Sequence, residues 1–224
     1  MIEAKEVCLR YPDDTIALNN IDLKIKMGEM IYIIGPSGSG KTSLLKLIMG
    51  IEYPTSGSLQ VLGQYIVKDR NEEIRNLRMK IGPVFQEFKL INGRSALENV
   101  MMGMRFLDLP LGRLKENATD ALIKVGLKHK MLSLTENLSW GERQRVAIAR
   151  AVARKPTLIL ADEPAGNLDK ENALHILELL TSFKDEKTTV IITTHATHMI
   201  DREKEAKLIH MNNGSMSLER LGLI

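Results

Sequence analysis

A glycine-rich octapeptide, GPSGSGKT, constrains this chain more than any other stretch. It spans residues 35–42 and has the spacing G-x-x-x-x-G-K-[ST]. The apolar run at residues 30–34 predicts a buried strand before it, and residues 43–49 predict a helix after it. Glycines let backbone N–H groups converge on phosphate oxygens, and the helix N-terminus adds partial positive charge. The predicted phosphate-binding residues are Gly35, Pro36, Ser37, Gly38, Ser39, Gly40, Lys41, Thr42 and Ser43.

Two parts of the sequence predict nucleotide hydrolysis. In the loop, Lys41 is expected to reach the β and γ phosphates, and the Thr42 hydroxyl to bind Mg²⁺. The stretch TLILADE then ends a predicted strand with two carboxylates. Asp162 is expected to hold the Mg²⁺ shell through a water, and Glu163 to polarise the attacking water. No N-K-x-D motif for reading guanine occurs, which argues against a GTPase and leaves ATPases and kinases open.

The rest of the sequence alternates between strand and helix patterns. Residues 21–25 alternate apolar and charged side chains, while residues 157–164 and 188–195 contain apolar runs typical of buried strands. Between those runs, residues 171–183 predict an amphipathic helix. Charged helical segments dominate from about residue 69 to 135 and indicate a helical lobe. Strands that alternate with helices favour an α/β core with a parallel sheet.

Composition argues against several other classes of protein. The net charge is only +3 and no Lys/Arg-rich block occurs, so no nucleic-acid partner is expected. Cys8 is the only cysteine, which excludes an internal disulfide and a zinc site built from thiolates. The polar N-terminus is unlike a targeting signal, and no apolar run approaches the roughly 20 residues that span a bilayer. We expect a soluble, cytoplasmic protein that reaches a membrane through a partner.

A third motif, LSWGERQ at residues 138–144, lies between the other two in the chain. With these motifs in this order, nearly the whole chain resembles the nucleotide-binding subunits of ABC (ATP-binding cassette) transporters. The resemblance implies one α/β P-loop NTPase domain over residues 1–224, with a mainly parallel core sheet and an N-terminal antiparallel β subdomain. It places the helical lobe at about residues 87–155. It also implies a head-to-tail dimer, in which each ATP lies between one copy's phosphate loop and the other copy's LSWGERQ motif.

The resemblance also implies roles for single residues. Tyr11 corresponds to an aromatic residue that stacks on adenine, and Gln86 to a glutamine that binds Mg²⁺ and links it to the helical lobe. His195 corresponds to a histidine that contacts the γ-phosphate, and Glu163 to the catalytic base. The residues expected to act across the dimer interface are Ser139, Trp140, Gly141, Glu142 and Asp169.

The sequence departs from the family pattern at several positions. Trp140 stands where the family usually has glycine, and a positive φ there would strain a bulky residue. We expect Gly141 to make the close approach and Trp140 to pack on a partner's nucleotide or on its own lobe. Ala165 stands where threonine is common, which is a mild change. Ala196 follows His195 where the family usually has aspartate, so support of this histidine is expected to differ. Pro83 cannot donate to a sheet, so its strand is predicted to start after it or to lie at an edge.

The segment FQEFKLI at residues 85–91 and the small size resemble a cell-division subgroup of the family. There, the ATPase drives an integral membrane partner, which places the cassette on the inner face of the cell membrane. The stretch ADEPAGNLD also occurs in lipoprotein-release and macrolide-export subgroups, so both stay open. The membrane partner is expected to contact residues 86–105, including Phe88 and Leu90. Further alternatives are a nucleotide-binding scaffold with low turnover, a soluble cassette protein of translation or DNA repair, and a small-molecule kinase.

Overall fold

A computed structural model of the chain describes residues 1–195, 200 and 206–220. The strands are β1 (Ile2–Arg10), β2 (Ile16–Ile25), β3 (Met30–Ile34), β4 (Ser56–Val61), β5 (Gln64–Tyr65), β6 (Ile81–Val84), β7 (Leu158–Asp162), β8 (Thr189–Thr194), β9 (Lys207–Asn212) and β10 (Ser215–Arg220). The α-helices are α1 (Lys41–Ile48), α2 (Asn71–Met79), α3 (Ala96–Met102), α4 (Leu111–Lys124), α5 (Trp140–Val152) and α6 (Lys170–Thr181).

The larger sheet has the order β10-β9-β3-β8-β7-β6, and every neighbouring pair is parallel except β9 and β10. This confirms the predicted mainly parallel core. In its register Ile34 pairs with Thr194, and Asp162 pairs with Thr193. The carboxyl ends of β3, β7 and β8 therefore meet at one edge, where open α/β sheets place their ligands.

The smaller sheet is antiparallel, with the order β2-β1-β4-β5, which confirms the predicted N-terminal β subdomain. In β2 the apolar residues Ile21, Leu23 and Ile25 are buried, while the charged residues between them are exposed. A strand with this period of two buries one face and leaves the other in water. That buried face closes one side of the core.

The core sheet is buried on both faces. Side chains of β3 alternate between two hydrophobic clusters, with Tyr32 in the cluster shared with α3–α6 and Ile33 in the cluster shared with α1, α2 and the smaller sheet. The prediction of a helical lobe from residue 69 was wrong at its start. α2 packs Ile74 and Leu77 into the second cluster, and β6 joins the core sheet, so the residues before 85 belong to the core.

The helices α3, α4 and α5 pack on one another and form the lobe. α3 begins at a capping box, in which Ser95 and Glu98 exchange hydrogen bonds between side chain and backbone. Pro83 lies within β6, which is an edge strand, as the prediction required. Of the helices in the described part of the chain, none combines the length and apolarity needed to cross a membrane.

Candidate functional site

The glycine-rich loop connects β3 to α1 at the ligand-facing edge of the sheet. Gly38 and Gly40 have φ values of 78° and 103°, a left-handed region that suits glycine. A Cβ on Gly40 would lie 2.5 Å from the backbone oxygen of Ala17, so no larger residue fits there. Gly40 is also the N-cap of α1 and has no side chain to cap it. The first amide groups of α1 are therefore available to an anion.

Lys41 is buried beneath this loop, with its side chain 7% exposed. Its ammonium donates to the backbone oxygens of Gly35, at 2.8 Å, and Pro36, at 3.0 Å. It also lies 3.3 Å from a carboxylate oxygen of Glu163. In this arrangement the lysine satisfies the loop's own oxygens and places a positive charge directly beneath the loop.

The side chain of Ser39 provides a test of whether the loop suits a bound oxyanion. Its hydroxyl is buried, and no described residue forms a hydrogen bond with it. A buried polar group without a partner is unfavourable unless a ligand or a water satisfies it. An oxyanion held by the loop amides meets this need, so the residues present fit the phosphate chain of a nucleotide.

The two carboxylates that end β7 are held by the neighbouring strand β8. Asp162 accepts hydrogen bonds from the hydroxyls of Thr42, at 3.1 Å, and Thr193, at 2.7 Å. Glu163 has a φ of 45°, and its N–H donates to both the backbone oxygen and the hydroxyl of Thr193. Thr193 was missed by the sequence reasoning. The signal for it was a hydroxyl within an apolar strand that adjoins the strand ending in Asp162 and Glu163.

His195 follows β8 and lies beside Glu163. Its Nδ1 atom is 2.8 Å from a carboxylate oxygen of Glu163, and its backbone N–H donates to the same oxygen at 3.3 Å. The histidine side chain is 59% exposed, whereas that of Glu163 is 11% exposed. The carboxylate therefore bridges Lys41 and His195. Ala196, expected to alter the support of this histidine, lies outside the described residues.

The oxygen groups near the loop suit a magnesium ion that is also bound by phosphates. Among the described residues no cluster of three or more His, Cys, Asp or Glu could hold a metal alone. Mg²⁺ prefers oxygen ligands and usually takes one or two from the protein, with phosphates and waters supplying the rest. The Thr42 hydroxyl and the Asp162 carboxylate, already joined by a hydrogen bond, are such a pair.

Two further predicted residues flank this network. The Tyr11 hydroxyl lies 3.1 Å from the Ser43 hydroxyl, so the aromatic ring is anchored to the first turn of α1. Gln86 is exposed and follows β6, whose last residue Val84 pairs with Ala161. This pairing brings the glutamine segment to the same edge of the sheet as Asp162 and Glu163.

The LSWGERQ motif opens α5, and its Arg143 side chain donates to the backbone oxygens of Leu138 and Glu136 just before the helix. Ser139 is the N-cap, and it exchanges hydrogen bonds with Glu142 in a capping box. The bond from the Ser139 N–H is the main cause that lowers the pKa of the Glu142 carboxyl. Trp140 and Gly141 both have ordinary negative φ values in the first helical turn. The condition for strain at Trp140, a positive φ, is therefore not met, and a helical residue there can carry a bulky side chain.

Trp140 packs on its own lobe, as one of the two expectations stated. Its ring centroid is 4.5 Å from that of Phe88, and the planes meet at 63°. Phe88 is only 7% exposed, so the expectation that it contacts a membrane partner is wrong. Its side chain is buried beside the tryptophan, and Asp at this position would disrupt folding rather than a surface.

Asp169 is the N-cap of α6. Its carboxylate accepts from the backbone N–H of Asn172 at 3.0 Å, and this bond lowers the pKa of the Asp169 carboxyl. A Cβ on Gly141 would lie 3.8 Å from a methyl group of Leu168, so the loop before α6 adjoins the start of α5. Of these predicted interface residues, Ser139, Trp140 and Asp169 are exposed, and Gly141 and Glu142 are partly exposed. Among the hydrogen bonds of the described residues, none joins them to Lys41, Asp162, Glu163 or His195.

An apolar groove with a basic rim lies at the exposed edge of β6 and was not predicted in this form. It encloses about 400 Å³. Its apolar lining comes from Met49, Ile51, Met79, Ile81, Pro83, Phe85 and Phe106, and its basic lining from Arg75, Arg78 and Arg154. The guanidinium of Arg154 lies 4.8 Å from the centre of the Phe106 ring. Burial, together with the nearby charge of Arg150, lowers the pKa of Arg154 to about 10.

This arrangement, with a phosphate loop, paired carboxylates at the end of a buried strand and a histidine just after the next strand, defines an ATP-hydrolysing cassette. The family model for ABC transporters matches residues 18–166. The chain belongs to this family and is an ABC ATPase.

Relatives and solved structures agree with this assignment. The chain is 36% identical over 214 residues to the cell division ATP-binding protein FtsE of Bacillus subtilis, covering 96% of this chain and 93% of the relative. It is 39% identical over 204 residues to the lipoprotein-releasing system ATP-binding protein LolD of Pseudoalteromonas translucida, covering 90% and 87%. The dimeric post-hydrolysis structure of the ATP-binding cassette MJ0796, bound to ADP and Pi, is 33% identical, with a TM-score of 0.89 over all of both chains.

Proposed function

We propose that two copies of this chain close head to tail around two Mg-ATP and that ATP hydrolysis drives an integral membrane partner. One observation carries the proposal. Lys41, Asp162, Glu163 and His195 form a connected network at the sheet edge, whereas Ser139 begins α5 on an exposed face. A helix N-terminus attracts an anion, and a second copy can present its own nucleotide there. The dimeric MJ0796 structure, at 33% identity, supports this arrangement.

In the proposed mechanism, binding changes the partners of Lys41. Its ammonium leaves the oxygens of Gly35 and Pro36 and pairs with the β and γ phosphates, while the loop amides and the Ser39 hydroxyl hold the remaining oxygens. Glu163 thereby loses its lysine partner. The freed carboxylate can accept a proton from the attacking water.

The other site residues orient these groups. His195 keeps its bond to Glu163 and positions the γ-phosphate, and Tyr11 stacks on adenine from its anchor on Ser43. Thr42 and Gln86 would bind Mg²⁺ directly, and Asp162 would do so through a water. When bound, this ion neutralises charge on the transferred phosphoryl group.

Across the interface, Ser139 and the backbone at Gly141 would hold the γ-phosphate of the other copy's ATP. A Cβ at Gly141 would meet the Leu168 methyl group at ordinary van der Waals distance, so its own chain does not crowd the backbone there. Trp140, Glu142 and Asp169 border the same contact. Hydrolysis removes the shared phosphate, so the dimer loosens and its motion reaches the membrane partner.

We propose that the partner is an FtsX-like integral membrane subunit, which would hold the cassette at the inner face of the cell membrane. The similarity to FtsE over 96% of this chain supports a role in cell division. The similarity to LolD keeps a lipoprotein-releasing system as the second candidate. The two candidates share every residue role given above and differ only in the partner.

The partner is proposed to dock in the apolar groove beside β6 rather than on Phe88. Arg75, Arg78 and Arg154 have no carboxylate within salt-bridge distance among the described residues, so the groove favours an amphipathic segment that carries acidic side chains. The exposed variant Arg75→Glu should abolish co-purification of the membrane partner and leave the ATPase rate of the isolated protein unchanged. Arg113→Glu, on the lobe surface, is the matched control.

Glu163→Gln tests the catalytic proposal. The variant should bind Mg-ATP but not hydrolyse it, so light scattering should show a dimer with Mg-ATP and a monomer without it. Glu171→Gln, exposed on α6, should behave as the unmodified protein. A monomer at saturating Mg-ATP would contradict dimer closure. Unchanged background hydrolysis in the Glu163 variant would favour the low-turnover scaffold.

A further inference from the structure

Two residues, Phe88 and Lys89, complete the bend that begins at Gln86 and precede the first helix of the lobe; we call this pair the Phe88–Lys89 turn. Both residues have positive φ values, 40° and 50°, although neither is glycine. Such a conformation is unfavourable for residues with a side chain and persists only where the surroundings hold it. The contacts that hold this turn therefore identify which element controls it.

Both ends of α5 hold the turn. Near its start, Trp140 packs edge-on against the buried Phe88 ring. Near its end, the guanidinium of Arg150 donates to the backbone oxygens of both Phe88 and Lys89. A helix is a rigid element, so displacement of the turn is transmitted to α5 as a whole.

The turn borders a smaller cavity beside the groove. Lys89 and Arg150 line this cavity, which encloses about 180 Å³ and shares Pro83, Phe85, Phe106 and Arg154 with the larger groove. A partner segment that extends from the groove into this cavity therefore contacts Lys89 and Arg150, which are bonded to each other. At the other end, Trp140 is covalently next to Ser139, the N-cap of α5.

We propose that Trp140 is a positioning residue that couples the Phe88–Lys89 turn to the N-terminus of α5. Through this contact, occupation of the groove changes how Ser139 is presented to a second copy's nucleotide. The tryptophan in place of the family's glycine supplies the ring that makes the contact. The effect on Ser139 rests on the proposed head-to-tail dimer, whereas the contact between the turn and α5 does not.

The first test uses Trp140 as its own reporter, because it is the only tryptophan in the chain. Arg150→Lys removes the planar guanidinium that bonds two backbone oxygens of the turn, and it leaves the Trp140 indole itself unaltered. This variant should shift the emission maximum of Trp140 and raise its quenching by acrylamide. Phe88→Leu should have the same effects. Arg145→Lys, on the same helix, loses only a bond to Val125 and should leave both signals unchanged. An Arg150→Lys spectrum identical to that of the unmodified protein would overturn the coupling.

The second test measures Mg-ATP-driven dimerisation in the Glu163→Gln background. Phe88→Leu and Trp140→Leu should each weaken the dimer by about fivefold, the scale of one aromatic pair. If the two rings act as one unit, the double variant should also weaken it about fivefold, because the effects of contacting residues do not add. Additive losses of about 25-fold would overturn the proposal. A Glu163→Gln protein that never dimerises would refute the proposed function instead, and the fluorescence test would still decide the coupling.

Discussion

Lys41→Met should destabilise the nucleotide-free protein, although the lysine is assigned to nucleotide binding. The ammonium makes two hydrogen bonds to loop oxygens and an ion pair with Glu163, and the side chains of the pair are 7% and 11% exposed. Methionine keeps most of the buried stem but removes these interactions. Breaking a buried pair costs about 3–5 kcal/mol when the remaining charge has no partner.

The loss in free energy of unfolding expected for Lys41→Met is smaller than these roughly 3–5 kcal/mol. Glu163 still accepts hydrogen bonds from His195, and the oxygens of Gly35 and Pro36 can bind water. Removing the lysine also removes the cost of burying its ammonium. We therefore expect Lys41→Met to lower the free energy of unfolding by about 2 kcal/mol. Lys41→Ala removes three buried methylenes as well and should lose about 4 kcal/mol.

Urea unfolding without nucleotide, followed by circular dichroism, measures both losses. Lys46→Met on the same helix is the matched control, and it should stay within about 0.5 kcal/mol of the unmodified protein. If Lys41→Met were as stable as Lys46→Met, the interactions of the ammonium with the loop and Glu163 would contribute nothing to the folded state. The account of how nucleotide exchanges partners with Lys41 would then be wrong.

Two other predictions concern the helix starts at the site. Gly40→Ala should cost about 3–5 kcal/mol in urea unfolding, from its left-handed φ and the contact with the Ala17 oxygen, whereas Gly38→Ala, with open space around it, should cost about 1 kcal/mol. Equal costs would contradict the steric reasoning. The pKa of Glu142 is lowered from 4.5 by its bond to the Ser139 N–H, so its contribution to stability is present above pH 4.5 and is lost as the pH falls through the lowered pKa. Glu142→Gln keeps an uncharged hydrogen-bond acceptor at this position. The amount by which the unmodified protein exceeds this variant in free energy of unfolding at pH 7 should therefore shrink at about pH 3. The same difference at both pH values would refute a stabilising role for the Glu142 charge.

Periodicity predicted the strands and helices that bury regular apolar patterns. The run at residues 30–34 became β3 with the same bounds, because five consecutive buried apolar residues fit a strand covered on both faces. The last two strands were not predicted. β9 and β10 mix charged and apolar residues, and their positions depend on pairing with β3 and with each other rather than on local pattern.

The site was predictable where short motifs dictate local geometry. The loop glycines and the order of Asp162 and Glu163 after an apolar strand place these groups before any tertiary contact is known. Thr193 and the Trp140–Phe88 contact were not predictable in the same way. Each joins segments that are distant in the chain, and only the strand register and the packing of the lobe bring them together.

Complementation between two inactive variants tests the composite site most directly. Lys41→Ala disables the phosphate loop, and Ser139→Asp keeps an N-cap residue but puts a negative charge where the other copy's phosphate would lie. In a head-to-tail dimer of one copy of each, one of the two sites retains both Lys41 and Ser139. An equal mixture should form such dimers half of the time, so about a quarter of the unmodified ATPase rate should return. A mixture as inactive as each variant alone would contradict a site shared between two copies.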